Sequence, residues 1–459
     1  MKSYDIVIIG GGPGGYVAAI KAAHLGAKVA LIEMERLGGL CLNWGCIPTK
    51  TLLKSAKLYQ DVLRGEEFGL KGIDTSKVSL DWSALTKRKD EVVERLVNGV
   101  YVLFKKNKID LYEGMAKVKN KNEIEVNGET INAKNLIVAT GSISNFPNIP
   151  GLEDTLSSGK AVTSKGALQL EGIPKNLIIV GGGVIAVEFA TLFNALGTKV
   201  TLLQRSKHIL SGVESEMAET LEKHLIEEGV NILTSTKIIS INEDSIVIQH
   251  EEKEKTFTAD KYLISLGVKA QLNGLENLNL KLTKNGFVDT NERLETNIEG
   301  VYALGDMNGK FPLAHVASAE GIVAVENIMG IDSTLNYDII PFCIYSFPEI
   351  ASVGLTESQA KSAGYDVNVS KFPLSANGKA LAEGETLGFV KIISETQYGE
   401  ILGTHIMAGH ATDMISEAIM SMQIEGTIYD VAKAIHPHPT LSEIVMEAAH
   451  GAIDKPIHK

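Results

Sequence analysis

Apolar residues recur along this chain in a strand-like and a helix-like rhythm, and their order predicts its architecture. Residues 5–9 are a short, mostly apolar run that enters a glycine cluster, and an Ala-rich stretch follows to about Gly26. The run reads as a buried strand and the stretch behind the glycines as a helix. A second apolar run at 29–32 ends at Glu33, so the opening 33 residues form one strand–helix–strand unit. The layout returns at 177–204, where Gly181, Gly197 and Gln204 stand 171 positions after Gly10, Gly26 and Glu33. A constant offset over a whole unit predicts a duplicated fold.

Between the copies, Leu85, Val92, Val93, Leu96, Val100, Leu103 and Phe104 keep helical spacing over 81–106. Residues 111–138 read as hairpins turning near Asn127-Gly128, and the whole insertion is assigned to the first domain. From about Tyr337 short strands at 342–345, 389–393 and 400–405 precede helices after Thr412 and Thr427. The predicted fold is α/β, with two Rossmann-like dinucleotide-binding domains and a C-terminal α+β domain.

Length and composition fit this picture. A chain of 459 residues exceeds one ordinary core. With 44% hydrophobic and 22% charged residues it has the balance of a folded globular protein. A net charge of -12 and a pI near 5.5 give no field for nucleic acid or anionic lipid, so neither is an expected partner. No apolar stretch reaches the roughly 18 residues that span a bilayer. The first strand begins at Tyr4, which leaves no room for a signal peptide, and the cytoplasm is the expected compartment.

Gly10, Gly12 and Gly15 supply G-x-G-x-x-G between a strand and a helix, with Glu33 as the following acid. The spacing suits a pyrophosphate cradle: a tight turn at Gly10, close backbone approach at Gly12, helix–strand packing at Gly15, and a ribose hydroxyl on Glu33. A ligand-free glycine turn is the alternative. The second cradle keeps Gly181 and Gly183 but has Ala186 as the third residue and Gln204 in place of the acid. Arg205, Lys207 and His208 follow, a cationic set suited to a 2′-phosphate or simply a solvated surface.

The chain has three cysteines, too few for a secreted disulfide framework. Cys41 and Cys46 follow directly on the first unit and lie beside the first nucleotide. Thiols five apart can meet on the first turns of a helix, where the dipole favours thiolate. A zinc half-site or two inert buried thiols are the alternatives; no second ligand pair is present, and no metal site is expected. Cys343, alone in an apolar run, reads as a packed core residue.

The stretch 39–50, spelling Cys-Leu-Asn-x-Gly-Cys-Ile-Pro-x-Lys from Cys41 to Lys50, resembles the redox motif of the class I FAD-dependent disulfide oxidoreductases in its dihydrolipoamide dehydrogenase form. The Thr-Asn-Ile-Glu-Gly-Val-Tyr-Ala-Leu-Gly-Asp run ending at Asp306, then Ala314-His315, is similar to the second FAD motif of that family. His438-Pro-Thr-Leu-Ser-Glu443 resembles its C-terminal signature. The resemblance implies FAD contacts at Gly10, Gly12, Gly15, Glu33, Lys50, Gly114, Thr140, Gly141, Asp306, Ala314 and His315. It implies NAD(P) contacts at Gly181, Gly183, Ala186, Glu188, Gln204, Arg205 and Gly267.

It also implies catalytic roles. Cys41 and Cys46 would form the redox disulfide, with Cys46 on the flavin side, and Lys50 would pair with Glu188 near the flavin. His438 would be the base, oriented by Glu443 and serving the partner's disulfide in a homodimer. The expected domains are 1–146 for FAD, 147–270 for NAD(P), 271–337 as a central domain completing the FAD site, and 338–459 for dimerisation. The expected activity is oxidation of dihydrolipoamide on a lipoyl domain or lipoyl carrier protein of a 2-oxo-acid dehydrogenase or glycine cleavage complex, with NADP favoured over NAD on the strength of Ala186, Gln204 and Arg205. Glutathione-reductase-like enzymes and a non-catalytic FAD-binding protein are the rival readings. Leu40 and the 267–270 segment depart from the family spelling and leave two local structures open.

Overall fold

The computed structural model describes residues 1–458; Lys459, the end of the expected last domain, lies outside the described residues. The opening unit is strand β1 (Lys2–Ile9), helix α1 (Pro13–His24) and strand β2 (Val29–Glu33). β1 pairs in parallel with β2 on one side and with the Glu129–Val138 strand on the other. Ile6, Val7 and Ile8 are fully buried, as expected of a parallel strand covered on both faces.

The hairpin forms at the expected turn. Glu123–Val126 pairs antiparallel with Glu129–Val138, and Asn127 and Gly128 have φ of 51° and 79°, the signs a type I′ turn requires. The start of the expected hairpin region behaves differently. Asp110–Glu113 joins the main sheet in parallel with β2, because Leu111 and Tyr112 extend the register of Leu31 and Ile32. The helix Trp82–Lys106 forms over the expected span, started by the Asp81 side chain accepting the Ala84 N–H at 3.0 Å.

The second unit comprises Asn176–Val180, Val184–Ala195 and Lys199–Leu203, and its helix begins and ends 171 positions after α1. Its parallel sheet adds Asn231–Leu233 on one side, and Lys261–Ile264 then Ala161–Val162 on the other. The Val268–Ala270 strand pairs antiparallel with Ser142–Ser144, so backbone bonds hold the junction whose side chains depart from the family spelling. Val301–Ala303 then returns to the first sheet beside Glu129–Val138.

The C-terminal sheet is antiparallel, in the order Phe342–Ile344, Glu349–Gly354, Ile401–Ala408, Phe389–Glu395, Val367–Pro373. Helices Ala411–Gln423 and Glu443–Ile453 pack on it through Ile415, Ile444 and Ala448. The sequence pattern missed Glu349–Gly354, whose Ile350 and Ala351 are both fully buried and so show no alternation, and Val367–Pro373. Lys391 of this sheet is 1% exposed and meets Glu214 and Glu216 of the second unit at 2.9 and 2.8 Å, and Glu357 at 2.7 Å. No described helix is long and apolar enough to cross a membrane.

Candidate active site

The first cradle lies at the carboxyl ends of the parallel strands, where open α/β sheets bind ligands. Gly10 has φ +105°, and a side chain there would strike the Ala139 carbonyl; one on Gly15 would strike the Gly10 carbonyl. At Gly12 a Cβ would meet only the Gly39 Cα, at 3.9 Å, and no side chain caps the start of α1. The turn is closed where the chain packs on itself and open where a pyrophosphate would approach, so these residues fit the dinucleotide. Glu33 accepts the Gly11 N–H at 2.6 Å, Gly114 donates to the Glu33 carbonyl at 2.8 Å, and the Thr140 hydroxyl donates to the Gln271 carbonyl at 2.6 Å. Gly141 has φ +72°. Asp306, following the Val301–Ala303 strand, accepts the Ser142 hydroxyl at 2.6 Å. Burial pushes its carboxyl up from the ordinary range. Ala314 opens the Ala314–Ile328 helix, and the next residue, His315, approaches the Pro341 carbonyl at 2.9 Å through Nε2.

In the second cradle, Gly181 backs onto the Ser265 carbonyl, nothing lies within 4 Å of a Cβ on Gly183, and Ala186 is fully buried in the helix. Gly267 has φ +87°. Gln204 accepts the Arg205 N–H at 3.0 Å, and Arg205 itself is exposed. Beside them His208 lies 3.9 Å from Glu222 and 4.0 Å from Glu219.

The cysteines do not share one helix as expected. Cys41 is in the short α2 (Gly39–Trp44) and Cys46 is the first residue of α3 (Cys46–Leu63), with Gly45 between them at φ −139° and ψ −110°. A Cβ on Gly45 would lie 2.9 Å from the Leu40 carbonyl, so glycine permits the break. The segment docks backbone to backbone on the cradle: Gly38 donates to the Gly11 carbonyl at 2.8 Å, and Gly39 abuts Gly12. Asn43 ties the turn by donating to the Leu37 and Gly39 carbonyls at 2.9 and 3.0 Å, while Leu40 is 46% exposed. Side-chain amide and backbone thus hold the turn without a hydroxyl at position 40.

Both thiols are free and half-buried. A hydrogen bond from the Cys41 thiol, together with the Lys50 ammonium, pulls Cys46 down to about 7 against the cost of burial. The same bond pushes Cys41 well above the ordinary thiol range. Cys46 also occupies the start of α3, where the helix dipole favours thiolate. Lys50, one turn further along α3, reaches the buried Glu188 of the second unit at 2.7 Å.

Sequence reasoning missed Tyr345. Its N–H donates to Glu188 Oε1 at 3.0 Å and the Lys50 ammonium sits 4.4 Å from its ring. Cys343, two positions earlier, is half-buried and packs against the C-terminal core, and burial together with Glu349 raises its thiol to about 11.

The two C-terminal histidines separate by their partners. His436 is engaged at both ring nitrogens, by Glu417 at 2.6 Å and the Ala434 carbonyl at 3.0 Å. His438 meets Glu443 at 2.9 Å through Nδ1, and its side chain is 78% exposed. Glu443 is fixed in turn by the Thr440 N–H at 2.8 Å, which orients the ring and leaves Nε2 without a partner among the described residues.

Comparison with known proteins gives a consistent match. The pyridine nucleotide-disulphide oxidoreductase family matches residues 4–321, and the dimerisation domain of those proteins matches 340–449. A Bacillus subtilis protein named dihydrolipoyl dehydrogenase is 44% identical over 99% of both chains. One of the same name from Thermus scotoductus is 40% identical over 100% of this chain and 99% of its own. The solved HOCl-induced flavoprotein disulfide reductase RclA from Escherichia coli superposes with a TM-score of 0.86 at 28% identity, covering 97% of this chain and 99% of its own.

Proposed function

The chain belongs to the pyridine nucleotide-disulphide oxidoreductase family, and from that premise we propose that it works as a dihydrolipoyl dehydrogenase, oxidising dihydrolipoamide through a Cys41–Cys46 disulfide with FAD and NAD(P)+. The observation that carries this reading is the placement of the two thiols on either side of Gly45, docked on the first cradle, with the Lys50–Glu188 pair one turn along from Cys46. Cys46, at the start of α3 and nearer in sequence to Lys50, is the sulfur placed to carry the negative charge. We divide the chain into an FAD domain over 1–146, an NAD(P) domain over 147–270, a central segment over 271–337 and a dimerisation domain from 338.

When bound, FAD supplies two-electron transfer between the thiols and nicotinamide. Gly10, Gly12, Gly15, Glu33 and Asp306 would hold it, with Gly114, Thr140, Gly141, Ala314 and His315 beside them. His438 takes a proton from the incoming dithiol at Nε2, oriented by Glu443. The substrate thiolate attacks Cys41 of the disulfide, the S–S bond breaks, and Cys46 leaves as thiolate, which its lowered pKa favours. The Lys50 ammonium stabilises that charge, and Glu188, paired with Lys50, opposes it in part.

The dimerisation domain matched in the C-terminal half supports a homodimer, and the exposure of His438 suits a base that serves the partner's disulfide. The substrate carrier would be a lipoyl domain. For the coenzyme we favour NADP: position 204 carries no acid to repel a 2′-phosphate, and the neighbouring Arg205 is exposed. Glu219 and Glu222 beside His208 work against a phosphate, and dual use of NAD and NADP is the second reading. Turnover of dihydrolipoamide by the FAD-loaded protein, measured with NAD and NADP in parallel, tests both levels. No turnover with either coenzyme rejects the dehydrogenase, whereas turnover with strong NAD preference rejects only the coenzyme assignment.

A further inference from the structure

Glu320 is fully buried in the Ala314–Ile328 helix, away from the thiols and the base. Its Oε2 accepts the Gly305 N–H at 2.6 Å, and its Oε1 accepts the Asn308 amide at 2.8 Å and the Tyr337 hydroxyl at 2.6 Å. A carboxylate out of water is costly unless donors satisfy it, and three short bonds at one buried group make a rigid node. Two of the donors belong to the single turn Gly305–Asn308, on either side of Asp306. Gly305 has φ +72°, a backbone state that glycine permits and Glu320 holds. The Asp306 side chain bonds Ser142 instead, so the turn's backbone is gripped by Glu320 while its carboxylate is presented elsewhere.

The next residue on the helix, Gly321, abuts the first cradle. A Cβ there would lie 2.5 Å from the Gly14 carbonyl, and the Ser318 hydroxyl donates to the Pro13 carbonyl at 3.4 Å. One helix therefore braces both the start of α1 and the Asp306 turn.

We propose that Glu320 is a positioning residue for FAD, fixing the Asp306 turn against the Gly10–Gly15 cradle so that both grip one ligand; this rests on the FAD reading given above. Glu320→Leu strands the Gly305 N–H and the Asn308 amide, and FAD affinity is expected to fall roughly 10- to 100-fold. Glu320→Gln keeps one oxygen for the Gly305 N–H but turns an amide towards Asn308, so its affinity should lie between.

The test is FAD titration of the apo-protein by flavin fluorescence, with thermal unfolding measured with and without FAD. In Glu320→Leu the temperature rise that FAD confers should shrink. Unchanged FAD affinity, or equal losses of thermal stability with and without FAD, would overturn the positioning role. If that variant does not fold, Asn308→Ala and Glu320→Gln decide: both must bind FAD more weakly, and wild-type affinity in both overturns the proposal. Failure of the wild type to bind FAD at all would instead reject the reading beneath it.

Discussion

Lys50 and Glu188, 138 residues apart, form a two-point ion pair in which the ammonium lies 2.9 Å from Oε1 and 2.7 Å from Oε2. The two act on Cys46 with opposite sign, the cation lowering its pKa and the carboxylate raising it. In the reduced protein the Cys46 thiolate is therefore present above about pH 7 and is protonated as pH falls through that value. Lys50→Met should move that midpoint up and Glu188→Gln should move it down, each by roughly tenfold in proton affinity. Thiolate absorbance followed through a pH titration checks both, and shifts of the same sign would refute the opposed roles.

Cys41→Ser and Cys46→Ser should each abolish dithiol turnover while FAD stays bound, since the cradle's contacts come from backbone. Partly reduced wild type and Cys41→Ser should show a long-wavelength band from a thiolate beside the flavin, and Cys46→Ser should lack it. Loss of flavin in either variant would make the pair structural, and an unchanged band in Cys46→Ser would reverse the assignment of the two sulfurs.

His438→Gln is expected to lower dithiol turnover by about 10² to 10⁴, the usual worth of a positioned acid–base group. His436→Gln should do less, because both its ring nitrogens already have structural partners. Mixing His438→Gln with Cys41→Ser should restore part of the activity once subunits exchange, because one site then combines an intact base with an intact disulfide. No recovery after confirmed exchange would mean that base and thiols belong to one chain.

Gln204→Glu combined with Arg205→Ala restores the acid and removes the cation next to it. The ratio of kcat/KM for NAD over NADP should rise at least about tenfold, the equivalent of about 1.4 kcal/mol. A wild type that already prefers NAD strongly would leave Arg205 as a solvated surface charge.

Lys391→Met leaves Glu214, Glu216 and Glu357 facing one another without their shared cation. Removing one side of a buried ion pair costs about 3–5 kcal/mol, so the melting temperature should drop at neutral pH. Glu357 is held down to about 2, first by Lys361 and then by Lys391. A carboxyl depressed on folding contributes stability above its unfolded value of about 4.3, and that contribution is lost as pH falls towards the folded one. The gap between wild type and variant should thus close on acidification, and calorimetry across pH would expose a constant gap.

The chain's local patterns were enough to determine its duplicated units. The helices 13–24 and 184–195 stand at the offset read from the glycines, and the 127–128 turn forms where Asn-Gly predicts it. These features depend on φ signs and side-chain periods that a few neighbouring residues set. The close pair of cysteines was legible for the same reason, and Lys50 with Glu188 only through the family likeness. Tertiary packing decided the rest: Asp110–Glu113 and Val301–Ala303 as strands of one sheet, the helix break at Gly45, the difference between His436 and His438, and the roles of Tyr345, Lys391 and Glu320. The Gly45 break and the His438–Glu443 pair use contacts five residues apart, but the others depend on partners chosen from elsewhere in the chain by burial and hydrogen bonding. No local period encodes such a choice, because an isolated Glu, His or Tyr looks the same in sequence whether its partner is water or a buried donor over a hundred residues away.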